Sequence, residues 1–461
     1  MKILLSDFGS TWTKLTAVDL DECRVLGTAA AFTTVETGIE NGFNEALTLL
    51  REKIGDVEFD DQKACSSAAG GLRMMVSGLV PELTAKAART AALGAGAKVI
   101  KVFSHEMTDD DLDLILEVKP DIFLLTGGTD GGNTACILEN GEALKDLFDE
   151  HGQLFPLLIA GNRSAQRKLK KMFADYDVVF CPNVMPRLSE INVESAQNEI
   201  RKIFLERIVQ AKGLSHLSTL MSDIILPTPG AILTAMELLS TGTDKEDGIG
   251  DLIAVDLGGA TTDVYSICEG GPQGMATVMK GLPEPFAKRT VEGDLGMRYS
   301  IMGIVDAVGF DAIAETAGLT PERTEELINR FHDHKEQVPD NEETARLDLA
   351  LASHAVATAV SRHAGTLKEV YTPMGQTFMQ VGKDLRPVRH IVMTGGALIH
   401  ADDPKKIVPF AQYDVQDPER LKPEKLSYSL DKKYILSAMG VLAKEHPDEA
   451  LKIMKQELTH E

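Results

Sequence analysis

Residues 7–14 read DFGSTWTK, a turn between two apolar stretches, and residues 256–263 read DLGGATTD in the same setting. Each stretch begins with an Asp, has a Gly two residues later and then carries small hydroxyl side chains. This is common turn chemistry, so either stretch alone indicates no more than a hairpin tip. Their occurrence in one chain raises the question of whether the two turns are matching parts of a duplicated domain.

A second pair of motifs supports duplication. Residues 124–130 read LLTGGTD and residues 392–398 read VMTGGAL, so each is an apolar run that ends in Thr-Gly-Gly. The second pair follows the first in the same order in both halves of the chain. We therefore expect a duplicated α/β unit. Chance similarity between short Gly-rich turns is the alternative interpretation.

Length and patterning indicate how the chain divides. A chain of 461 residues is too long for one compact core, and strand-like runs alternate with helical ones, which favours an α/β class. We predict a first half over residues 1–225, with an α/β subdomain inserted at about 150–190. We predict a second half over residues 226–461, with a helical insertion at about 300–365.

Composition excludes several classes of function. The net charge is -23, which repels a polyphosphate backbone and makes nucleic acid an unexpected partner. No apolar run approaches the ~18 residues of a membrane span, and the start of the chain lacks the core of a signal peptide. The five cysteines are isolated, which argues against disulfides, zinc and iron–sulfur clusters. A cytoplasmic protein is predicted.

The two Asp-x-Gly turns have the composition of phosphate-binding loops. Glycine at positions 9, 258 and 259 lets the backbone approach a ligand and direct N–H groups toward it. The hydroxyls predicted to donate to anionic oxygens are those of Ser10, Thr11, Thr261 and Thr262. Lys14 is predicted to reach a phosphate as a point charge, with a solvated surface position as the alternative.

The aspartates of the two turns need a cation if phosphate binds there. Asp7 and Asp256 would repel a phosphate chain unless Mg²⁺ lies between them, held through water molecules. We therefore predict Asp7 and Asp256 as metal-side carboxylates, and Asp7, Asp256 and Asp263 as the catalytic carboxylates.

The stretch TGGAL at 394–398 suits a different task. Gly395 and Gly396, followed by Ala397, would leave a flat surface without side chains on which a planar base could lie. A plain strand-to-helix turn is the alternative. In the related stretch at 126–133, Asp130 and Asn133 either line a cleft or cap a helix.

The order of these elements resembles the actin, Hsp70 and sugar-kinase superfamily of ATPases. That resemblance implies two RNase H-like halves around a nucleotide cleft, with ATP and Mg²⁺ as cofactors. The five elements that carry it are a first phosphate loop (7–14), a connecting helix (227–239), a second phosphate loop (256–263), an adenosine loop (394–398) and a closing helix (434–443). EGDLGMR at 292–298 falls where Hsp70 chaperones have another Gly-Asp-x-x-Gly segment. Small residues in the connecting helices are predicted to let them cross closely: Gly230, Ala231, Ala438 and Gly440.

More narrowly, the chain resembles the MutL/GlmL family over nearly its whole length. The stretches that carry this resemblance are DFGSTWTK, SSAAGGLRMMVSGL, LLTGGTDGGN, PTPGAIL and VEGDLGMR. The resemblance implies an ATP-dependent chaperone that frees an adenosylcobalamin-dependent mutase, glutamate mutase or a related aminomutase, of damaged cobalamin. Its implied partners are the mutase subunits, and it leaves open whether the chain forms a homo-oligomer.

One departure from the superfamily pattern bears on hydrolysis. Hsp70 chaperones have a Glu just before the Pro-Thr of the connecting helix, where it helps to position the attacking water. Leu226 stands at that place here. Leucine cannot polarise water, so either another carboxylate acts or hydrolysis is slow. Asp256 and Asp263 are the nearest candidates.

Two other functions remain open on the sequence. A small-molecule kinase of the sugar-kinase branch also uses two phosphate loops, but it needs a catalytic Asp that we cannot place. An activator of 2-hydroxyacyl-CoA dehydratases has an opening loop similar to GSTWTK, but it bridges an iron–sulfur cluster with cysteines near glycine turns. The five isolated cysteines fit that pattern poorly.

Overall fold

The structure is a computed structural model of the 461-residue chain. It describes all residues except 10–11, 34–38, 68–71, 189, 212–222, 275, 374 and 461. The chain forms two compact units. Unit 1 comprises Met1–Ala235, Gly281–Pro283 and Ser437–Ala450, and unit 2 comprises Met236–Lys280, Glu284–Leu436 and Leu451–Glu461. The units are therefore not two consecutive halves, because the chain returns to unit 1 twice after residue 235.

The elements of the described residues follow in chain order. The strands are β1 (Lys2–Phe8), β2 (Trp12–Asp19), β3 (Arg24–Phe32), β4 (Asp61–Ser66), β5 (Arg73–Gly78), β6 (Lys98–Ser104), β7 (Ile122–Leu125), β8 (Leu157–Ile159), β9 (Val178–Phe180), β10 (Asp223–Pro227), β11 (Leu252–Leu257), β12 (Thr262–Ile267), β13 (Thr277–Met279), β14 (Ala287–Glu292), β15 (Thr366–Thr372), β16 (Gly375–Val381), β17 (His390–Thr394), β18 (Ser427–Leu430) and β19 (Thr459–His460). The α-helices are α1 (Ile39–Ile54), α2 (Lys86–Gly94), α3 (Asp109–Val118), α4 (Ala135–His151), α5 (Gln166–Met172), α6 (Glu194–Ala211), α7 (Thr228–Thr241), α8 (Ile301–Ala317), α9 (Pro321–Asp333), α10 (Glu342–His363), α11 (Gly396–Ile399), α12 (Leu436–Leu442) and α13 (Pro447–Glu457).

The main sheet of unit 1 has the strand order β3-β2-β1-β4-β10. Strands β1, β2 and β3 form an antiparallel meander, whereas β4 and β10 run parallel to β1. Residues 3–8 of β1 are buried, because this central strand is covered on both faces. The turn DFGSTWTK therefore joins the central strand to the first antiparallel neighbour.

The main sheet of unit 2 repeats this arrangement, in the order β14-β12-β11-β17-β18-β19. Strand β12 is antiparallel to β11 and to β14, and β17 and β18 continue parallel on the other side of β11. Five strands of this sheet match those of unit 1 in order and in direction, which confirms the duplicated RNase H-like unit. The chain has the actin-like ATPase fold.

The second pair of motifs is not part of the duplication. TGGTD at 126–130 follows β7, which lies in a separate sheet, whereas TGGAL at 394–398 follows β17 of the main sheet in unit 2. By strand order the counterpart of β17 is β4, so the counterpart of TGGAL begins after Ser66. The prediction was wrong because Thr-Gly-Gly can end a parallel strand in any α/β sheet.

The inserted α/β subdomain is larger than predicted. Its five parallel strands, in the order β6-β5-β7-β8-β9, extend from Arg73 to Phe180. The predicted range of about 150–190 covers only β8 and β9. The apolar runs of β5, β6 and β7 were assigned to the first half itself, because a buried parallel strand has the same pattern in either sheet.

The turn at 126–133 bonds to one helix and to two loops of the inserted subdomain. Asp130 Oδ1 accepts from the backbone N–H of Arg163 at 2.8 Å and from the side-chain amide of Asn183 at 3.0 Å. Asn133 Oδ1 accepts from the backbone N–H of Cys136, in the first turn of α4, at 3.3 Å. Asn133 therefore caps α4, whereas Asp130 joins the turn to two loops and caps no helix among the described residues.

Unit 2 carries two further structural layers. Helices α8, α9 and α10 occupy 301–363, the range of the predicted helical insertion. Their apolar faces join the core of the main sheet, as at Ile304, Phe331 and Leu351. A three-stranded sheet in the order β13-β16-β15 lies outside the main sheet. No helix among the described residues is long and apolar enough to cross a membrane.

The connecting helices cross closely, as predicted from their small residues. Helix α7 follows β10, and α12 follows β18 after a short turn. A side chain at Gly440 of α12 would place its Cβ only 1.8 Å from the backbone oxygen of Ala231 in α7. The two backbones therefore touch at Gly440 and Ala231, and both residues belong to unit 1.

A buried histidine of unit 2 gives its stability a defined pH dependence. His363 bonds to the hydroxyls of Thr290 and Ser266 through its two ring nitrogens, each at 2.8 Å. Burial, with the charges of Lys288 and Lys383, lowers its pKa well below the ordinary 6.5. Because the unfolded chain therefore binds more protons, this stabilisation is complete above pH 6.5 and is lost as pH falls below it.

We expect this histidine to contribute a loss of about 1 kcal/mol between pH 7 and pH 5.5. His363→Gln keeps hydrogen-bonding groups for both hydroxyls but cannot titrate. The difference in free energy of unfolding between wild type and variant, measured in urea across this range, should change by that amount. An unchanged difference would mean that the pKa of His363 is the same in the folded and the unfolded chain, and a change of opposite sign would mean that the folded protein holds it protonated.

Candidate functional site

The carboxyl ends of the parallel strands in unit 1 bring polar groups together. Asp7 lies near the end of β1, Ser66 ends β4, and Thr228 follows β10 directly. In parallel α/β sheets this edge is where ligands bind. The sequence predicts Asp7 as a site residue because of its turn. It does not predict Ser66 or Thr228.

Asp7 is a buried carboxylate whose two oxygens are held by hydroxyls. It is 5% exposed, and it accepts from Thr228 Oγ1 at 2.6 Å on Oδ1 and from Ser437 Oγ at 2.9 Å on Oδ2. All three residues belong to unit 1. Each carboxylate oxygen can accept a further bond, so Asp7 is oriented without being saturated. Sequence reasoning missed Thr228 and Ser437 because both are far from Asp7 in the chain.

The first loop is a tight hairpin tip that needs glycine. The N–H of Gly9 donates to the carbonyl of Trp12 at 3.0 Å, and a Cβ at Gly9 would lie 2.6 Å from that oxygen. Thr33 donates its hydroxyl to the carbonyl of Gly9 at 2.9 Å. Ser10 and Thr11 lie outside the described residues. Lys14 stands directly opposite Asp7 in the β1–β2 ladder and is half-buried.

The second loop repeats this hydrogen bond. The N–H of Gly258 donates to the carbonyl of Thr261 at 2.9 Å. On the other side, the N–H of Met297 bonds the carbonyl of Gly258 at 3.1 Å, and those of Arg298 and Tyr299 bond the carbonyl of Gly259 at 2.9 and 2.8 Å. The EGDLGMR segment therefore braces the loop by occupying its carbonyls, while Gly259 remains exposed.

The two threonines of the second loop differ. Thr262 is fully buried, and its hydroxyl donates to the carbonyl of Leu295 at 2.8 Å. The side chain points into the fold and its proton is already used, which weighs against the predicted phosphate contact, and that role stays a prediction. Thr261 is half-buried at the hairpin tip. Its role as a donor stays a prediction.

Asp256 and Asp263 stand opposite one another in the β11–β12 ladder, but their surroundings differ. Asp263 is buried, and its Oδ1 accepts from Arg289 Nε at 2.7 Å and Nη2 at 2.6 Å. A carboxylate held in this way neutralises a buried cation and is poorly suited to act as a base. Asp256 is half-buried at the carboxyl edge. The catalytic role of either residue stays a prediction.

The adenosine loop is packed more closely than predicted. Gly395 is buried with φ of +95°, and a Cβ there would lie 2.3 Å from the backbone oxygen of Leu257. Because Gly395 has no side chain, the ends of β17 and β11 can pack against each other. This glycine is therefore not part of an open surface. Gly396 and Ala397 are half-buried and begin α11, so only they remain candidates for contact with a base.

Sequence reasoning also missed the turn after β18. Asp431 accepts from Thr394 Oγ1 at 3.1 Å and from the N–H groups of Ile435 and Leu436 at 2.8 and 3.3 Å. Tyr434, in this turn, has φ of +54°, and its hydroxyl lies 3.2 Å from where a Cβ of Gly396 would stand. A non-glycine residue with positive φ beside a glycine loop cannot be recognised from residue types alone.

The donor set fits magnesium held largely by ligand and water. No group of three or more His, Cys, Asp or Glu side chains among the described residues could hold a metal ion. Asp7 of unit 1 is oriented by two hydroxyls, and Asp256 of unit 2 is half-buried near the end of β11. Mg²⁺ commonly binds through one or two carboxylates together with substrate phosphates and several water molecules. Asp7 and Asp256 fit that kind of site.

The protein has the actin-like ATPase fold, and each of its two main sheets has an Asp-x-Gly hairpin at the same place. Comparison with known sequences then identifies the family: the chain belongs to the MutL protein family, whose profile matches residues 3–458. The chain is similar to Protein MutL of Clostridium tetanomorphum, with 46% identity over 459 residues, which covers 99% of this chain and 98% of the relative.

Similarity to solved structures is much weaker. The activator of 2-hydroxyisocaproyl-CoA dehydratase from Clostridium difficile with bound ADPNP aligns over 99% of this chain and 98% of its own, at 9% identity and a TM-score of 0.32. Xylulose kinase from Bifidobacterium adolescentis aligns over 100% and 96%, at 11% identity and a TM-score of 0.33. Alignments at this level carry no functional argument, and the fold rests on the strand orders given above.

Proposed function

We propose that the chain binds Mg-ATP through its two Asp-x-Gly hairpins. The observation that carries the proposal is their identical construction: each joins the central strand of a duplicated sheet to its antiparallel neighbour, and each closes with a Gly N–H to carbonyl bond of 2.9–3.0 Å. The N–H groups of Gly9 and Gly258 are used in these bonds, and the lack of a side chain on each glycine lets a phosphate oxygen approach the backbone of the tip closely. Asp7 and Asp256 would hold the metal ion, which neutralises phosphate charge when bound.

We propose that any hydrolysis is slow. Leu226 is 2% exposed and lies within β10, so no carboxylate occupies the position that serves the attacking water in Hsp70 chaperones. Of the three predicted catalytic carboxylates, Asp263 is engaged by Arg289, which leaves Asp7 and Asp256. Both are assigned to the metal. A weakly positioned water molecule fits a switch better than a metabolic enzyme.

We propose that the client of this switch is an adenosylcobalamin-dependent mutase, glutamate mutase or a related aminomutase, which the chain frees of damaged cobalamin. Family membership supports this proposal, since the MutL/GlmL resemblance implies it and the family match extends over residues 3–458. We also propose a cytoplasmic location and no nucleic-acid partner, both of which are compatible with such a client. They rest on composition and charge.

The test uses purified glutamate mutase loaded with hydroxocobalamin, an inactive cofactor form. We expect this chain with ATP and Mg²⁺ to release the bound cobalamin, followed by absorbance after gel filtration, and to restore activity when adenosylcobalamin is supplied. A non-hydrolysable ATP analogue separates a requirement for binding from one for turnover. If Mg-ATP binds but no cobalamin is released from glutamate mutase or a related aminomutase, the client proposal fails while the nucleotide proposal stands.

The cysteines weigh against the activator alternative. Burial raises the pKa of Cys136 to about 11 and that of Cys181 to about 12, and it raises the pKa of Cys65 well above its ordinary value. Cluster ligands must be thiolates on accessible loops. Cys65, which stands opposite Asp7 in the β1–β4 ladder, is instead fully buried.

A further inference from the structure

Tyr434 occupies a strained position at the carboxyl edge of unit 2. It lies between the end of β18 and the start of α12, and its N–H closes a turn onto the carbonyl of Asp431 at 3.1 Å. Its φ of +54° is a left-handed conformation that costs a non-glycine residue about 1–2 kcal/mol. Strain of this kind persists only where surrounding contacts enforce it, and it is concentrated at ligand-binding sites.

The contacts that enforce this conformation are those of Asp431. Its carboxylate bonds the N–H groups at the start of α12 and the hydroxyl of Thr394 at the end of β17. The turn is therefore fixed both to its own helix and to the neighbouring strand. The backbone of Tyr434 is thereby held in one place.

That place is beside Gly396. The phenol hydroxyl lies 3.2 Å from the position of a Cβ on Gly396, so a side chain at residue 396 would press against it. The surface predicted to be free of side chains is thus bordered by the edge of a tyrosine. The adenosine loop offers a hydroxyl in addition to its backbone.

The phenol of Tyr434 is protonated at neutral pH. Burial, then the carboxylates of Asp256 and Asp431, raise the pKa of Tyr434 above its ordinary value of 10. A protonated phenol can donate a hydrogen bond as well as accept one. The geometry beside Gly396, not the charge of the phenol, places this hydroxyl at the loop.

We infer that Tyr434 is a nucleotide-binding residue whose hydroxyl donates a hydrogen bond to an oxygen of the sugar–phosphate portion of the nucleotide. This inference rests on the proposed function. It adds a side-chain donor to the adenosine loop, whose residues Gly395 and Gly396 have no side chains of their own. Its strained backbone is the cost of placing that donor.

The test compares Mg-ATP and Mg-ADP binding by wild type and Tyr434→Phe, which removes only the hydroxyl. We expect affinity for both nucleotides to fall about tenfold, consistent with loss of a hydrogen bond to a polar or charged group. The thermal midpoint without nucleotide should be unchanged. Tyr371→Phe is the matched control, since Tyr371 is 79% exposed on β15 of the three-stranded sheet.

The outcomes separate the two proposals. If wild type binds neither nucleotide, the proposed function fails. If wild type binds both and Tyr434→Phe binds each within twofold of wild type, the inference is overturned and the proposed function stands. A loss of affinity accompanied by a matching fall in thermal midpoint, without nucleotide, would also overturn it, because a structural role for the hydroxyl then explains the result.

Discussion

Replacing Asp7 with Asn is expected to weaken Mg-ATP binding by about thirtyfold and to leave the binding of metal-free ATP as tight as in wild type or tighter. The carboxylate attracts the cation but repels phosphate, so its charge contributes with opposite signs in the two experiments. Thirtyfold corresponds to about 2 kcal/mol. The fold tolerates the change, because Thr228 and Ser437 present hydroxyls that can donate to or accept from an amide.

Isothermal titration with and without Mg²⁺ measures both effects. Asp19→Asn is the matched control, since Asp19 is 9% exposed and lies opposite Lys2, at the other end of the same hairpin. It should bind Mg-ATP like wild type. Equal losses for Asp7→Asn with and without Mg²⁺ would show that Asp7 supports the loop structurally and does not serve the metal.

Replacing Gly395 with Ala is expected to reduce the free energy of unfolding by about 3 kcal/mol. The added Cβ would lie 2.3 Å from the backbone oxygen of Leu257, and no side-chain rotation can relieve a contact with backbone. The positive φ of +95° adds a conformational cost of about 1 kcal/mol. Because Leu257 leads directly into the second loop, the substitution should also weaken Mg-ATP binding.

Gly250→Ala separates the two costs. Gly250 has a similar φ of +84°, but nothing lies within 4 Å of the position of its Cβ. This control should lose only the conformational cost of about 1 kcal/mol. Urea unfolding of both variants measures the difference. If the two substitutions cost the same, the ends of β17 and β11 are not in the close contact described here.

The duplicated fold was predictable because its evidence is local. An Asp-x-Gly turn between two apolar runs specifies a hairpin, and two such hairpins specify two matching sheets. The Thr-Gly-Gly pair led to a wrong correspondence, since the same turn ends β7 of the inserted sheet and β17 of the main sheet. Only strand order, which depends on long-range pairing, distinguishes these two cases.

The site was predictable in part for the same reason. Asp7, Gly9, Asp256 and Gly258 are identified by their turns, and the structure places each aspartate at a carboxyl edge. The buried hydroxyl of Thr262 and the ion pair of Asp263 with Arg289 were not predictable, because strand alternation at the hairpin decides which side chain points inward. Thr228, Ser437 and Tyr434 join the site only through tertiary contacts.

The most direct test of Mg-ATP binding uses the one tryptophan of the chain. Trp12 follows the first loop, is 41% exposed and stacks on Phe32 with ring centroids 4.0 Å apart. Its fluorescence therefore reports on that hairpin alone. We predict a saturable change in emission as Mg-ATP is added to wild type, with a midpoint about thirtyfold higher in Asp7→Asn. Emission that stays constant up to millimolar Mg-ATP would contradict the claim that this loop binds the nucleotide.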